Sequence, residues 1–295
     1  MYIRFGFDIA YDLPKPAAVL LMLRLRPEYD HRIISAEKFR VIPALPFEEF
    51  SDVYGNRCMR LAAPTGLLEL ACEGVVGDPG IPAPVDVGAP EVRVEDLPPA
   101  LLPFLLPSRY CDVDLLGNLA WSLFGSTAPG WSRVQAICSW VHAHLAFDYL
   151  KARPTLTAYE AFREGAGVCR DFTHLAIALC RCLNIPARYA TGYLGDIGVP
   201  PEDTPMDFSA WMEAYLGGRW HTFDPRHNER RIGHVVMAYG RDAADVALTT
   251  SFGAHVLRRF NVITEEVPEP EAGLPESEAR APAVRSFQRG LVSRV

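Results

Sequence analysis

"GVCRDFTHLAIALC" (residues 167–180) decides how this chain is read. A cysteine follows a glycine-bearing approach and opens a run in which Phe172, Ala176, Leu179 and Leu183 fall at helical spacing. The first turn of a helix presents amide N–H groups without intrahelical acceptors, together with the positive end of the macrodipole, and both favour a thiolate. Cys169 is therefore expected to carry an ionised sulfur. The glycines at 165 and 167 allow close backbone approach to a substrate carbonyl, with the Cys169 amide as an oxyanion donor. A small buried thiol at a helix end fits the same placement.

Upstream, Val134, Ile137, Cys138, Val141 and Leu145 give "WSRVQAICSWVHAHLAF" (131–147) one helical stripe, and Thr157 with Glu160 has the spacing of a capping box. Downstream, "ARYATGYLG", "DFSAWMEAYL", "RWHTFDP", "GHVVMAYG" and "LRRFNVITEEV" read as strands. Gly217 and Gly218 form a two-residue hairpin turn, which sets Leu216 opposite Arg219. The same register sets Trp211 opposite Asp224, makes Ser209 a same-face diagonal neighbour of Asp224, and turns His221 to the other face. Helices followed by an antiparallel sheet make this part α+β.

Further out, residues 77–107 hold eight of the chain's 25 prolines, a density that helices and central strands do not tolerate. A domain connection is placed there. Before it, "IRFGFDIAYD", "AAVLLMLRLRP", "RIISAEKFRVIP" and the stretch from Phe50 to Val76 read as short strands broken by "YGN" and "PTG" turns. The expected organisation is an all-β unit over 1–100, an α+β unit over 101–265, and a polar, Pro-rich flexible tail over 266–295.

Composition excludes several partners. A net charge of −7 repels phosphate backbones and anionic lipid surfaces, so neither nucleic acid nor a membrane is expected. The apolar run from Ala17 to Leu23 is far short of a membrane span and reads as a buried strand. Seven cysteines at irregular spacing argue against a disulfide framework and for reduced thiols in the cytoplasm. His142 and His144 lie two apart and diverge on a helix, so no metal is expected; no phosphate loop or calcium loop is present, and no cofactor is implied.

Four motifs in order carry a resemblance: Gly-Val-Cys-Arg-Asp at 167–171, Ile-Pro-Ala-Arg-Tyr at 185–189, Ala-Trp-Met-Glu at 210–213, and Trp-His-Thr-Phe-Asp-Pro at 220–225. Over roughly residues 110–265 the chain resembles the transglutaminase-like family of thiol enzymes. Its upstream strands resemble the β-rich N-terminal domain of many bacterial members. The resemblance implies a papain/transglutaminase-like core, with Cys169 as nucleophile and Asp224 as the acid that orients the base. It also implies a histidine immediately before the Ala-Trp pair, where this chain has Ser209. A neutral hydroxyl is a poor proton acceptor.

His227 is the local substitute, freed to curl back toward Asp224 once Pro225 ends the strand; an exposed loop histidine is the other reading. Arg170 and Arg226 can stabilise a thiolate but cannot shuttle a proton. Tyr149, Arg170 and Trp211 are candidate substrate-binding residues, and Asp171 is expected to cap the Cys169 helix. The chemistry this implies is cleavage or transfer of a peptide or glutamine-type amide through an acyl-cysteine. The competing reading is a non-catalytic binding module that has lost its base.

Overall fold

The computed structural model describes residues 1–201 and 205–269. Its first half is built from strands β1 (Tyr2–Leu13), β2 (Ala17–Leu21), β3 (Ile33–Ser35), β4 (Arg40–Ile42), β5 (Phe47–Ser51), β6 (Arg57–Ala63) and β7 (Gly66–Gly77). The Pro-rich connection follows as irregular chain with two short 3-10 turns, Val94–Asp96 and Pro99–Leu105. Then come helices α1 (Val113–Phe124) and α2 (Trp131–His144), strand β8 (Ala146–Phe147), helix α3 (Ala158–Glu164), strand β9 (Ala166–Gly167) and helix α4 (Cys169–Cys182). The chain closes with β10 (Ala187–Tyr193), β11 (Ser209–Leu216), β12 (Arg219–Phe223), β13 (Val235–Gly240), β14 (Thr249–Ser251) and β15 (Val256–Val267).

Strand β11 explains why these pieces belong together. It lies in a four-stranded antiparallel sheet of order β12-β11-β10-β13 and is buried along almost its whole length. Ala210, Met212, Ala214 and Leu216 point into a core shared with α1, α2 and α4. Trp211, on the alternate parity, points the other way, into a core with Phe5, Leu21, Met59 and Leu70 of the N-terminal strands. One sheet thus separates two cores, with helices on one face and β-strands on the other.

Helix α4 is buried on every side from Asp171 to Arg181, so it is a central helix rather than a surface amphipathic one. Its one buried cation, Arg181, is spent on backbone: it donates to the carbonyls of Ala187, Leu106 and Arg241 and to Ser108 Oγ. These bonds tie the Pro-rich connection and the end of β13 to the helix.

The capping box at Thr157 and Glu160 forms, and α3 ends in left-handed Gly165. The hairpin register holds as well, with Leu216 opposite Arg219 and Ala214 opposite His221. Two expectations need correction. Residues 145–147 leave helix α2, and Ala146 and Phe147 instead pair in parallel with Ala166 and Gly167. The C-terminal strands also return to the first half: β15 pairs with β1 from Asp12↔Val256 to Tyr2↔Val267, and β14 pairs with β2. Residues 249–267 therefore complete the N-terminal sheets, and Glu266 and Val267 are strand rather than tail. The rest of the expected tail, 270–295, lies outside the described residues.

Because Trp211 is wholly buried between the sheet and the N-terminal strands, Trp211→Ala is expected to cost about 3–5 kcal/mol of stability. Urea unfolding followed by circular dichroism measures it; a change below about 1 kcal/mol contradicts the two-core arrangement.

Candidate active site

Cys169 occupies the first position of α4. The start is shaped by Asp171, whose carboxylate accepts from the Val168 amide at 2.8 Å and lies beside Arg170. Gly167 makes room for this cap, since a Cβ there would meet Asp171 Cβ at 2.7 Å. The glycine approach therefore serves the helix start as well as any ligand. Thr173 Oγ1 donates to the Cys169 carbonyl at 2.9 Å, bracing the first turn.

Cys169 is half-buried as a residue and forms no disulfide, as all seven cysteines are free. Loss of hydration and the nearby Asp207 carboxyl push the Cys169 thiol up to about 12, outweighing the Arg226 guanidinium and the Ala210 amide that lower it. This corrects the expectation of a resting thiolate. The amides of one helical turn do not offset burial beside a carboxylate.

Asp224 follows β12 and begins a turn closed by the Asn228 amide on its carbonyl at 2.8 Å, with Asn228 left-handed at φ 52°. Pro225 fixes the first step of that turn and withholds no needed donor. One oxygen of the Asp224 carboxylate accepts from the amides of Arg226, at 3.0 Å, and His227, at 3.1 Å. The other meets His227 Nδ1 at 2.6 Å. Burial alone would raise this carboxyl, but the His227 contacts and the nearby His234 imidazole hold it below the ordinary aspartate value.

His227 Nε2 lies 2.5 Å from Arg226 Nη1. A guanidinium only donates, so Nε2 is the lone-pair nitrogen and Nδ1 carries the proton to Asp224. That is the tautomer a general base needs. The Arg226 guanidinium is stacked on Phe147, 4.1 Å from the ring centroid. Phe147 pairs with Gly167, two residues before Cys169. The carbonyl of Arg226 is held by His142 Nδ1 at 2.7 Å. The Arg226 guanidinium, which reaches His227, is thus carried toward the first turn of α4, where it lowers the Cys169 thiol.

The other candidates fare differently. Among the described residues Ser209 is not a partner of the Asp224 carboxylate; it is buried, and its carbonyl accepts from Thr191 Oγ1 at 3.1 Å. Trp211 is corrected from substrate contact to core, since none of its surface reaches solvent. Arg170 is engaged by the Arg153 carbonyl at 2.6 Å and lies over Tyr110. Tyr149 is exposed in a 3-10 turn and packs edge-on against Phe147, beside Arg226. His221 is buried and bonds the Leu216 carbonyl, and Glu213 pairs with Arg188.

Sequence reasoning missed Phe147 and His234. Phe147 read as the end of a helix, and its pairing with Gly167 has no local signature. His234 packs against Trp211 at 4.7 Å and borders a cavity of about 170 Å³ behind Asp224, lined also by Trp131, Gln135, Asn228 and Arg231.

The transglutaminase-like superfamily profile matches residues 119–225. The crystal structure of a candidate cysteine protease from Cytophaga hutchinsonii is 33% identical, aligns over 92% of this chain and 92% of its own, and superposes with a TM-score of 0.79. The chain belongs to the transglutaminase-like superfamily. An uncharacterised Mycobacterium leprae protein is 32% identical over 123 residues, 39% of this chain and 42% of its own. A second from Mycobacterium tuberculosis is 32% identical over 112 residues, 34% of this chain and 35% of its own. The chain therefore spans well under half the length of these curated relatives.

A neutral resting thiol has a kinetic signature. Alkylation of Cys169 by iodoacetamide, read by peptide mass spectrometry, is expected to rise about tenfold per pH unit through pH 9. A plateau below pH 7 would show an ionised sulfur instead.

Proposed function

We propose that this protein is a thiol enzyme that cleaves or transfers a peptide-type amide through an acyl-cysteine at Cys169, with the Asp224–His227 dyad as its acid–base group. The observation that carries this is the 2.6 Å contact of His227 Nδ1 with Asp224, which leaves Nε2 as the proton acceptor. Family membership supports the reaction class, and the likeness to a candidate cysteine protease supports a protein or peptide substrate.

Because the thiol is neutral at rest, its proton must leave as the sulfur attacks. His227 Nε2 takes the Sγ proton while sulfur bonds the carbonyl carbon. The resulting oxyanion needs amide donors, and the Cys169 N–H at the first helical position is suited to that. Collapse breaks the C–N bond, and the departing amine takes the proton from Nε2. Water or an amine then attacks the thioester, giving its proton back through the same imidazole. Arg226 must first release Nε2. The free thiols support a reducing compartment such as the cytoplasm.

Ser209 and the raised thiol favour the second reading, a groove that binds without turnover. Turnover of a fluorogenic peptide library separates the two. Cys169→Ala should abolish cleavage, and His227→Ala should lower kcat by about a hundredfold or more. Binding without Cys169-dependent product would sustain the non-catalytic reading.

A further inference from the structure

The turn that carries His227 is gripped from outside. Helix α2 presents Gln135, Ser139 and His142 at positions i, i+4 and i+7, a polar stripe beside the apolar one it buries. His142 Nδ1 donates to the Arg226 carbonyl at 2.7 Å, because a carbonyl only accepts. Gln135 Nε2 donates to Asn228 Oδ1 at 3.0 Å, and Asn228 Nδ2 donates to Ser139 Oγ at 3.3 Å. The residues immediately before and after His227 are therefore both fastened to α2, from helix positions about 10 Å apart along its axis.

The internal bonds of the turn run back to Asp224: the Asn228 amide to its carbonyl, and the Arg226 and His227 amides and His227 Nδ1 to its carboxylate. They close the turn on itself. The sheet ladder does not extend past Phe223, and Pro225 has no N–H with which to extend it. Helix α2 supplies a fixed reference instead. Its apolar side, Val134, Ile137, Cys138 and Val141, packs in the same core as Phe172, Ala176 and Leu179 of α4, the helix that Cys169 opens. The helix that holds the base thus shares a core with the helix that carries the thiol. His144, two residues on, donates to the Phe162 carbonyl at 2.8 Å and takes no part in this grip.

We infer that Gln135 and His142 are positioning residues for the base: by holding Asn228 and the Arg226 carbonyl, they keep the His227 imidazole registered on Asp224 and at a constant offset from the helix core that sets Cys169. Neither touches a reacting atom. A misplacement of about 1 Å can cost about a hundredfold in rate, so loss of either grip acts on kcat rather than on substrate affinity. The effect on turnover rests on the acyl-cysteine reading, whereas the hold on the imidazole stands apart from it.

Two substitutions remove the grip by different routes. His142→Phe keeps a ring and loses the donor, and Gln135→Met keeps the length and loses the amide. His142→Asn is the rescue, since its amide nitrogen is bonded to Cγ as Nδ1 is. The His227 Nδ1–H group, 2.6 Å from the Asp224 carboxylate, gives a downfield resonance in proton NMR of the full chain, identified by its absence in His227→Gln. That resonance should broaden or vanish in His142→Phe and in Gln135→Met, and return in His142→Asn. For a peptide that the unaltered protein cleaves, kcat should fall about tenfold or more in both variants with KM within about twofold, and recover in His142→Asn. An unchanged resonance and kcat in both variants overturns the inference, as does a loss of kcat that follows only the folded fraction in circular dichroism while the resonance persists. If the resonance responds as expected and none of these proteins, the unaltered one included, shows Cys169-dependent cleavage, the positioning stands and the acyl-cysteine reading fails instead.

Discussion

A single strand buried on both faces governs this molecule. Once β11 sends Met212 and Ala214 toward the helices and Trp211 toward the N-terminal strands, neither half can shift without opening a core. The hairpin that follows has its register fixed by those same side chains, so Asp224 emerges at a set point beyond Phe223. On the other side of the sheet, α4 is packed along eleven consecutive residues and its first residue is Cys169. The site is the place where two independently determined element ends meet.

The chemistry available there follows from what each end can offer. A helix start gives unpaired amides, but it does not by itself ionise a thiol that has lost its hydration beside Asp207. The turn after β12 gives an imidazole whose tautomer is fixed by a carboxylate that is itself saturated with two backbone amides. The His227 contacts and the nearby His234 imidazole keep that carboxylate charged despite burial, and the charge is what stabilises a protonated ring. A residue three positions along a tight turn can thus take up a role usually given to one on a neighbouring strand, provided the turn is rigid.

Much of this was legible from sequence because it is local. The capping box at Thr157, the hairpin glycines, the alternation of β11 and the helix opening at Cys169 each depend on residues close together in the chain. The return of β15 to β1 was not legible, because its apolar alternation does not say which sheet edge it will complete. Trp211 read as a groove residue for a related reason: parity assigns it a face, but only the N-terminal strands show that the face is covered. The curl of His227 onto Asp224 was one of two readings that Pro225 left open, the other being an exposed loop histidine, whereas the Phe147 to Gly167 pairing that brings Arg226 toward the cysteine joins segments twenty residues apart.

The central claim is that Asp224 fixes the proton of His227 on Nδ1 and leaves Nε2 as a base. Nitrogen-15 NMR of the labelled imidazole reads this directly. The account predicts the proton on Nδ1 and a lone pair at Nε2, and loss of that preference in Asp224→Asn. A ring protonated on Nε2 alone, indifferent to the Asp224 substitution, would contradict it.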